Sequence, residues 1–431
     1  MTMGKILIIM IAALTITACH TAKTDKDFAM VSDGHFVRGG EPYYYVGTNF
    51  WYGAILASEG QGGNRERLCH ELDAMKQLGI DNLRILVGSD GKSGITTKVE
   101  PTLQIAPGIY NDTILAGLDY LLMEMGKRNM VAVLYLNNSW EWSGGYSFYL
   151  ENAGCGKAPR PNEEGYEAFK EYVSQFAENE RAHQLFYDYV RFIIGRTNRY
   201  TGVEYTNDPT IMSWQIGNEP RAFKPELLTA FEKWLAETAA LIRSLDNNHL
   251  ISVGSEGSWG CENSIESWHR ICADKNIDYC NIHLWPYNWG WAKSDSLVEN
   301  VQRACMNSKE YIDQHLQICA KLRKPLVMEE FGYPRDNMCF TPGSATLGRD
   351  EYYRYIFGLV AENMKAGGAF AGCNFWGWGG EAKPRHVQWQ VGDDYCTDPA
   401  QEEQGLNSVF CTDSSTLNII RNSIEEINRQ K

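Results

Sequence analysis

The chain has 431 residues, 44% hydrophobic and 22% charged, enough to bury a large core. A net charge of −14 without a sustained basic run excludes nucleic acid as a partner, since that affinity comes from neutralising phosphate. Aromatic residues reach 12%, with 13 Trp and 23 Tyr; flat aromatic faces serve a core and also stack on sugar rings.

The run "MGKILIIMIAALTITAC" begins with a lysine, continues with an apolar stretch too short for a convincing membrane span, and ends in small residues before Cys19. It reads as an export signal over 1–18. "ITAC" resembles a bacterial lipobox, so a lipid on Cys19 is the expected and only membrane contact, with 19–30 as a polar tether. The expected location is the bacterial envelope or cell surface, or the medium if the signal is an ordinary secretory one. Of 12 cysteines, 12 − 1 = 11 remain beyond Cys19, an odd number. None has the spacing of a zinc ribbon or redox centre. Cys69, Cys319 and Cys373 sit in apolar patterns as core thiols, and Cys396 and Cys411 flank a loop that a bridge could staple.

From Tyr43 onward, strand-like apolar runs alternate with amphipathic stretches. The predicted strands are "YYYVGTNFWY" (43–52), "DNLRILVG" (81–88), "VAVLYLNNS" (131–139) and "IMSWQIGNE" (211–219). They continue with "LISVGSEG" (250–257), "YCNIHLWP" (279–286), "PLVMEEFGY" (325–333) and "AGCNFWGWGG" (371–380). Segments such as "RERLCHELDAMKQLG" carry apolar residues at helical spacing between them. Nearly continuous apolar strands separated by helices predict a parallel sheet covered on its outside. Eight such units predict an α/β fold, a single (β/α)8 TIM barrel spanning 31–431. Long loops follow strand three (139–182) and strand eight (379–412), at the end of the barrel where active sites are built.

The polar residues gather at that same end. Strand two carries Arg84, strand three ends in Asn137-Asn138, strand four in Asn218-Glu219 and strand five in Glu256. Strand six holds His283, strand seven Glu329-Glu330 and strand eight Trp376. They converge only if the barrel closes. Two carboxylates on facing strands are what glycoside hydrolysis requires, one to protonate the leaving oxygen and one to attack the anomeric carbon or activate water. Glu219 and Glu330 are that pair; alternation along the strand points Glu329 the other way, as a structural hydrogen-bonding partner.

"WQIGNEPR", "VMEEFG", "NLRI", "IHLWP" and "NFWGW" together resemble glycoside hydrolase family 5, in its β-mannanase-like branch. The resemblance covers nearly the whole chain beyond the leader. It implies Glu219 as acid/base and Glu330 as nucleophile, with Arg84, Asn138, Asn218, Arg221, Glu256, His283, Trp285 and Trp376 as substrate-binding residues. It implies no metal or organic cofactor, and β-mannan or manno-oligosaccharides as substrate. One departure stands out: where many members have a tyrosine two residues after the strand-six histidine, this chain has Trp285, an indole that donates but cannot ionise like a phenol. The expected activity is retaining hydrolysis of β-1,4-mannosidic bonds, endo-acting on the branch's general habit. The bulky segment after strand eight resembles an exo-acting mannosidase group, which makes exo action the alternative. A glucan-cleaving enzyme and a non-catalytic glycan-binding lipoprotein are further alternatives; the intact carboxylate pair argues against the binder.

Overall fold

The computed structural model describes residues 28–430, so the leader and Cys19 lie outside the described residues. Eight strands form the barrel wall: β1 (Tyr45–Asn49), β2 (Asn82–Leu86), β3 (Val131–Tyr135), β4 (Ile211–Gln215), β5 (Leu250–Ser252), β6 (Cys280–Leu284), β7 (Leu326–Phe331) and β8 (Phe370–Phe375). Every residue in them is buried, which explains their largely apolar character: one side meets the barrel interior, the other the helices. Neighbours run parallel in the order β5-β4-β3-β2-β1-β8-β7-β6. The seam between β5 and β6 is closed largely by side chains. Asn281 Oδ1 accepts from Val253 N (3.1 Å) and Gly254 N (2.8 Å), and Asp278 N donates to Ile251 O (2.9 Å).

The outer layer consists of α1 (Arg65–Leu78), α2 (Asp112–Lys127), α3 (Glu180–Ile194), α4 (Leu228–Leu245), α5 (Ile265–Ala273), α6 (Leu297–Leu322), α7 (Leu347–Lys365) and α8 (Ser414–Asn428). Their starts follow the capping rules: Asn64, Asn111, Asn179 and Ser264 each accept a hydrogen bond from a backbone N–H in the first turn. The helix α1 stops at Gly79, whose φ of 91° is open to glycine at little cost.

A small antiparallel sheet, Met30–Ser32 with His35–Arg38 and Glu41–Pro42, plugs the bottom of the barrel. Phe36 packs edge-on against Tyr279 (5.2 Å between ring centres) and joins Tyr45, Val131, Val133 and Val327 in a satellite core. Phe28 already contacts His249, and Ala29 is buried. The tether expected to run to residue 30 is therefore over by 28, because these apolar residues have a surface to cover.

Both long loops fold. The one after β3 contains helices at Tyr146–Asn152, Pro161–Glu164 and Tyr166–Val173. The one after β8 pairs Trp378–Gly380 with Val409–Phe410 and is cross-tied inside. Asp398 accepts from Gly405 N, Asn407 N, Ser408 N and Ser408 Oγ, while Arg335 ion-pairs with Asp413 and donates to the carbonyls of Gly405 and Ser408. The expected Cys396–Cys411 staple is absent. Cys396 is buried with its thiol on Gln404 and Asp398, Cys411 is exposed, and both are free. The hydrogen-bonded Asp398 and the buried Arg335 brace the loop instead.

Candidate active site

The strand tops surround a cavity of about 380 Å³ lined by Asn218, Glu219, Arg221, Glu256, Trp285, Glu330 and Trp376. Three expected substrate contacts, Arg84, Asn138 and His283, do not line it; they stand directly behind residues that do.

Arg84 is completely buried within the barrel. Its Nε donates to Gln215 Oε1 (2.8 Å), Nη1 to Asn49 Oδ1 (3.1 Å) and Glu330 Oε1, and Nη2 to Asn218 Oδ1 (2.9 Å). The Tyr135 ring supports it from one face, 4.5 Å from the guanidinium carbon. Arg84 thus orients Glu330 and Asn218 together and cannot itself reach a sugar. Asn138 is equally committed. Its Oδ1 accepts from Trp140 N (3.0 Å) and Asn218 Nδ2 (3.3 Å), and its Nδ2 donates to Ser143 Oγ (2.8 Å), so it shapes the loop after β3.

Glu329 departs from the expected alternation. In the pairing of β6 with β7, Ile282 faces Met328 but His283 faces Glu330, which leaves Glu329 as the extra residue of a bulge. Both glutamates consequently point inward. Glu329 accepts from Gln215 Nε2 (2.6 Å) and Tyr279 OH (3.3 Å), beneath Arg84 Nε at 3.9 Å. It is a structural hydrogen-bonding partner, as expected, but from inside the barrel. Burial pushes its carboxyl up to about 7.

Glu219 sits just past β4 with φ of 49°, a left-handed conformation unusual for a residue with a side chain. Its backbone is pinned by Gly254 O, which accepts from Glu219 N (2.9 Å), and by Ser139 Oγ, which donates to Glu219 O (2.5 Å). That fixes where the carboxyl points. Trp140 Nε1 donates to Oε2 (2.6 Å), and His283 Nδ1 lies 2.9 Å from Oε1 and 3.5 Å from Glu330 Oε2. The other ring nitrogen, Nε2, is buried without a partner among the described residues. An unpaired lone pair is less costly there than an unpaired N–H, so we assign the proton to Nδ1, where it bridges the two glutamates. Burial holds His283 well below its ordinary pKa, and it stays neutral.

The carboxyl oxygens of Glu219 and Glu330 come within 4.8 Å of each other. Burial raises both, and the charge of Glu219 raises Glu330 further, so the pair holds one proton above the ordinary carboxyl range. The direct guanidinium contact on Glu330 favours Glu219 as its holder. Glu219, His283 and Glu330 are the one group of acidic, histidine and cysteine side chains clustered tightly enough for a metal among the described residues. Arg84 on Glu330 and Arg221 beside Glu219 already supply the positive charge a cation would duplicate.

The rest of the rim is aromatic and polar. Arg221 grips Glu256 in a two-bond ion pair (2.5 and 2.6 Å) and lies over Trp140 at 5.2 Å. Trp285 and Trp376 meet edge to face at 6.0 Å. Trp285 lines the cavity together with Glu219 and Glu330, and no tyrosine hydroxyl bonds Glu330 among the described residues. Trp140, Trp142, Trp259, Trp289 and Glu402 also line the cavity and were not singled out in the sequence. Trp140 and Trp142 had a signal, two indoles within "NNSWEWSGG" directly after a strand-end amide pair. The others come from loops whose approach depends on the whole fold.

This geometry brings a buried carboxyl and an ion-paired carboxylate together from facing walls, the two-carboxylate arrangement that glycoside hydrolysis uses. Comparison with known proteins agrees. Mannan endo-1,4-beta-mannosidase 4 of Solanum lycopersicum is 28% identical over 387 residues, 86% of this chain and 90% of that one. The glycoside hydrolase family 5 mannosidase of Rhizomucor miehei, solved with mannosyl-fructose, superposes at a TM-score of 0.87 with 30% identity, covering 94% and 99% of the two chains. The endo-1,4-beta-mannanase of the same organism shares the fold at TM-score 0.67 and 23% identity, covering 93% and 99%. The model of the family described as GH family 5 beta-mannosidase-like matches residues 26–431, and on that match this chain belongs to glycoside hydrolase family 5, as a β-mannosidase-like glycosyl hydrolase.

Proposed function

We propose that this hydrolase cleaves β-1,4-mannosidic bonds with retention of configuration, releasing mannose from chain ends. Glu330, ionised against Arg84, attacks the anomeric carbon while protonated Glu219 gives its proton to the leaving oxygen. Glu219, now a carboxylate held by Trp140 and His283, then takes a proton from the water that frees the sugar from Glu330. Family membership sets aside the reading as a non-catalytic binder.

The observation carrying the end-specific reading is the segment after β8. It brings Pro399, Gln401 and Glu402 onto the cavity wall and is anchored there, with Trp51 Nε1 donating to Thr397 O (2.5 Å) and Tyr395 OH to Glu100 O (2.7 Å). A braced wall beside Trp142 and Trp376 shortens the groove a polymer would need. The high structural similarity to a protein named a mannosidase supports the same reading. The endo reading keeps the support of relatives named mannan endo-1,4-beta-mannosidases. Proton NMR of fresh mannohexaose digests separates the cases. Mannose alone, appearing first as the β-anomer, is expected; mixed oligomers would establish endo action, and an initial α-anomer would overturn Glu330 as nucleophile.

Trp140→Phe is expected to move the basic limb of kcat/KM up by about one pH unit. The indole N–H favours ionised Glu219, and without it Glu219 keeps its proton to higher pH. A fall in kcat with an unmoved limb would leave Trp140 a purely structural role.

We also propose that a lipid on Cys19 anchors the exported protein, on the support of the "ITAC" run alone. Cys19→Ser should then shift the protein from the membrane fraction to the soluble one; unchanged fractionation would remove the proposal.

A further inference from the structure

Glu329 takes no part in the reaction described above, yet the bulge between β6 and β7 turns it into the barrel interior beside the nucleophile. It is completely buried and lies off the reaction cavity, as do Gln215 on β4 and Asn49 on β1. A buried carboxyl costs stability unless its oxygens are bonded, and here both are. Oε2 accepts from Gln215 Nε2 (2.6 Å), and Oε1 accepts from Tyr279 OH (3.3 Å).

The bond to Gln215 reaches further. Gln215 Oε1 accepts from Arg84 Nε (2.8 Å). A guanidinium only donates, so the Gln215 carbonyl must face Arg84 and its NH2 group must face away. That NH2 group donates to Ser252 Oγ (3.0 Å) and to Glu329 Oε2. A hydroxyl both donates and accepts, so Ser252 would serve the amide either way round, whereas the Glu329 oxygen accepts only. A proton on Oε1 leaves Oε2 an acceptor still. Glu329 is therefore the partner that fixes the amide. Its main chain reaches the same guanidinium by a second route: Asn49 Nδ2 donates to Glu329 O (2.8 Å), and Asn49 Oδ1 accepts from Arg84 Nη1 (3.1 Å). Two amides that both rest on Glu329 thus hold the guanidinium where it also donates to Glu330 and Asn218.

We propose that Glu329 is a positioning residue for the reaction: by fixing which way the Gln215 amide faces, it sets Arg84 against Glu330. It touches no substrate, and the role rests on Glu330 being the ionised nucleophile. The charged and titratable groups facing Glu330 are Arg84, Glu219, Glu256 and His283. Those facing Glu329 are Arg84, Tyr279 and Tyr45, and burial pushes both phenols well above their ordinary range. Arg84 is the cation that opposes the rise of Glu330, so a displaced guanidinium raises that carboxyl further.

The test follows kcat/KM for an aryl β-mannoside against pH, with Tm measured alongside, in Glu329→Leu, Glu329→Gln and Gln215→Met. Leucine gives the Gln215 NH2 group no carboxylate, so the amide is free to turn it toward Arg84 Nε and push the guanidinium off Glu330. The acidic limb should then move up by about one pH unit, with kcat/KM below that limb down about tenfold. Glutamine offers its carbonyl to Gln215 Nε2 and its own NH2 group to Tyr279 OH, whose proton can turn to Ser213 or Ser252. It should bring the limb back to the wild-type position. Gln215→Met removes the relay while Glu329 stays in place, and it should move the limb as leucine does, which decides the matter if Glu329→Leu does not fold. An unmoved limb in folded Gln215→Met, or a limb moved as far by Glu329→Gln as by leucine, would overturn the proposal. The configuration of the first product is read on the wild type, so a failed nucleophile assignment shows there and is distinct from an unmoved limb.

Discussion

Glu330→Ala is expected to lower kcat on an aryl β-mannoside by on the order of 10⁵-fold while oligosaccharide binding stays measurable. The variant removes the attacking atom and leaves the indoles of Trp140, Trp285 and Trp376 in the cavity. Glu219→Ala should behave differently. A leaving group as acidic as dinitrophenolate needs little protonation, so the glycosyl-enzyme still forms on Glu330 and accumulates for want of a base. Azide needs no deprotonation to attack, and it should restore turnover of Glu219→Ala as the β-mannosyl azide. With Glu330→Ala, azide can only enter from the face the carboxylate vacated and should give the α-azide. The opposite pairing of variants and anomers would reverse the two roles.

The second large effect is expected at Arg84. Arg84→Met leaves Glu330 and Glu329 buried without the cation that contacts both, and breaking such a buried pair costs about 3–5 kcal/mol. Arg84 is what opposes the rise of Glu330 imposed by burial and Glu219, so its loss raises that pKa further. The nucleophile then ionises only at higher pH, and the acidic limb of kcat/KM should move upward, with activity at neutral pH down on the order of 10²-fold or more. Linkage gives a second readout. A carboxyl held above its unfolded pKa binds its proton more tightly in the folded state, so stability falls as pH rises from the unfolded value through the folded one. The Tm deficit of Arg84→Met relative to wild type should therefore widen as pH rises through and beyond the raised folded value that Glu330 has in the wild type. A deficit independent of pH, with an unmoved acidic limb, would mean that Arg84 only fills space.

The barrel and its central pair were legible because both rest on local rules. The interval from Tyr43 to Gly380 repeats a strand-and-helix period eight times, and a strand buried on both sides is largely apolar. An Asn-Glu-Pro-Arg set at the end of such a strand has no packing reason, so Glu219 stands out, and Glu330 does likewise on β7. Where local rules are altered by a neighbour, the sequence did not decide. Alternation placed Glu329 outside, but the pairing of β7 with β6 adds a residue at that point, and a bulge is set by two strands and not by one. Arg84, Asn138 and His283 are site residues by position, yet whether each touches substrate or only holds a residue that does depends on how many of their bonds partners from other strands take up. Cys396 and Cys411 have a spacing that permits a bridge, whereas the folding of the loop around Asp398 turns one thiol inward and leaves the other exposed. The Trp140 donor on Glu219 and the wall carrying Glu402 arise from loops far apart in the chain. The chemistry was written in the residues at the strand ends; the shape of the space around it came only from contacts between distant segments, which no local pattern encodes.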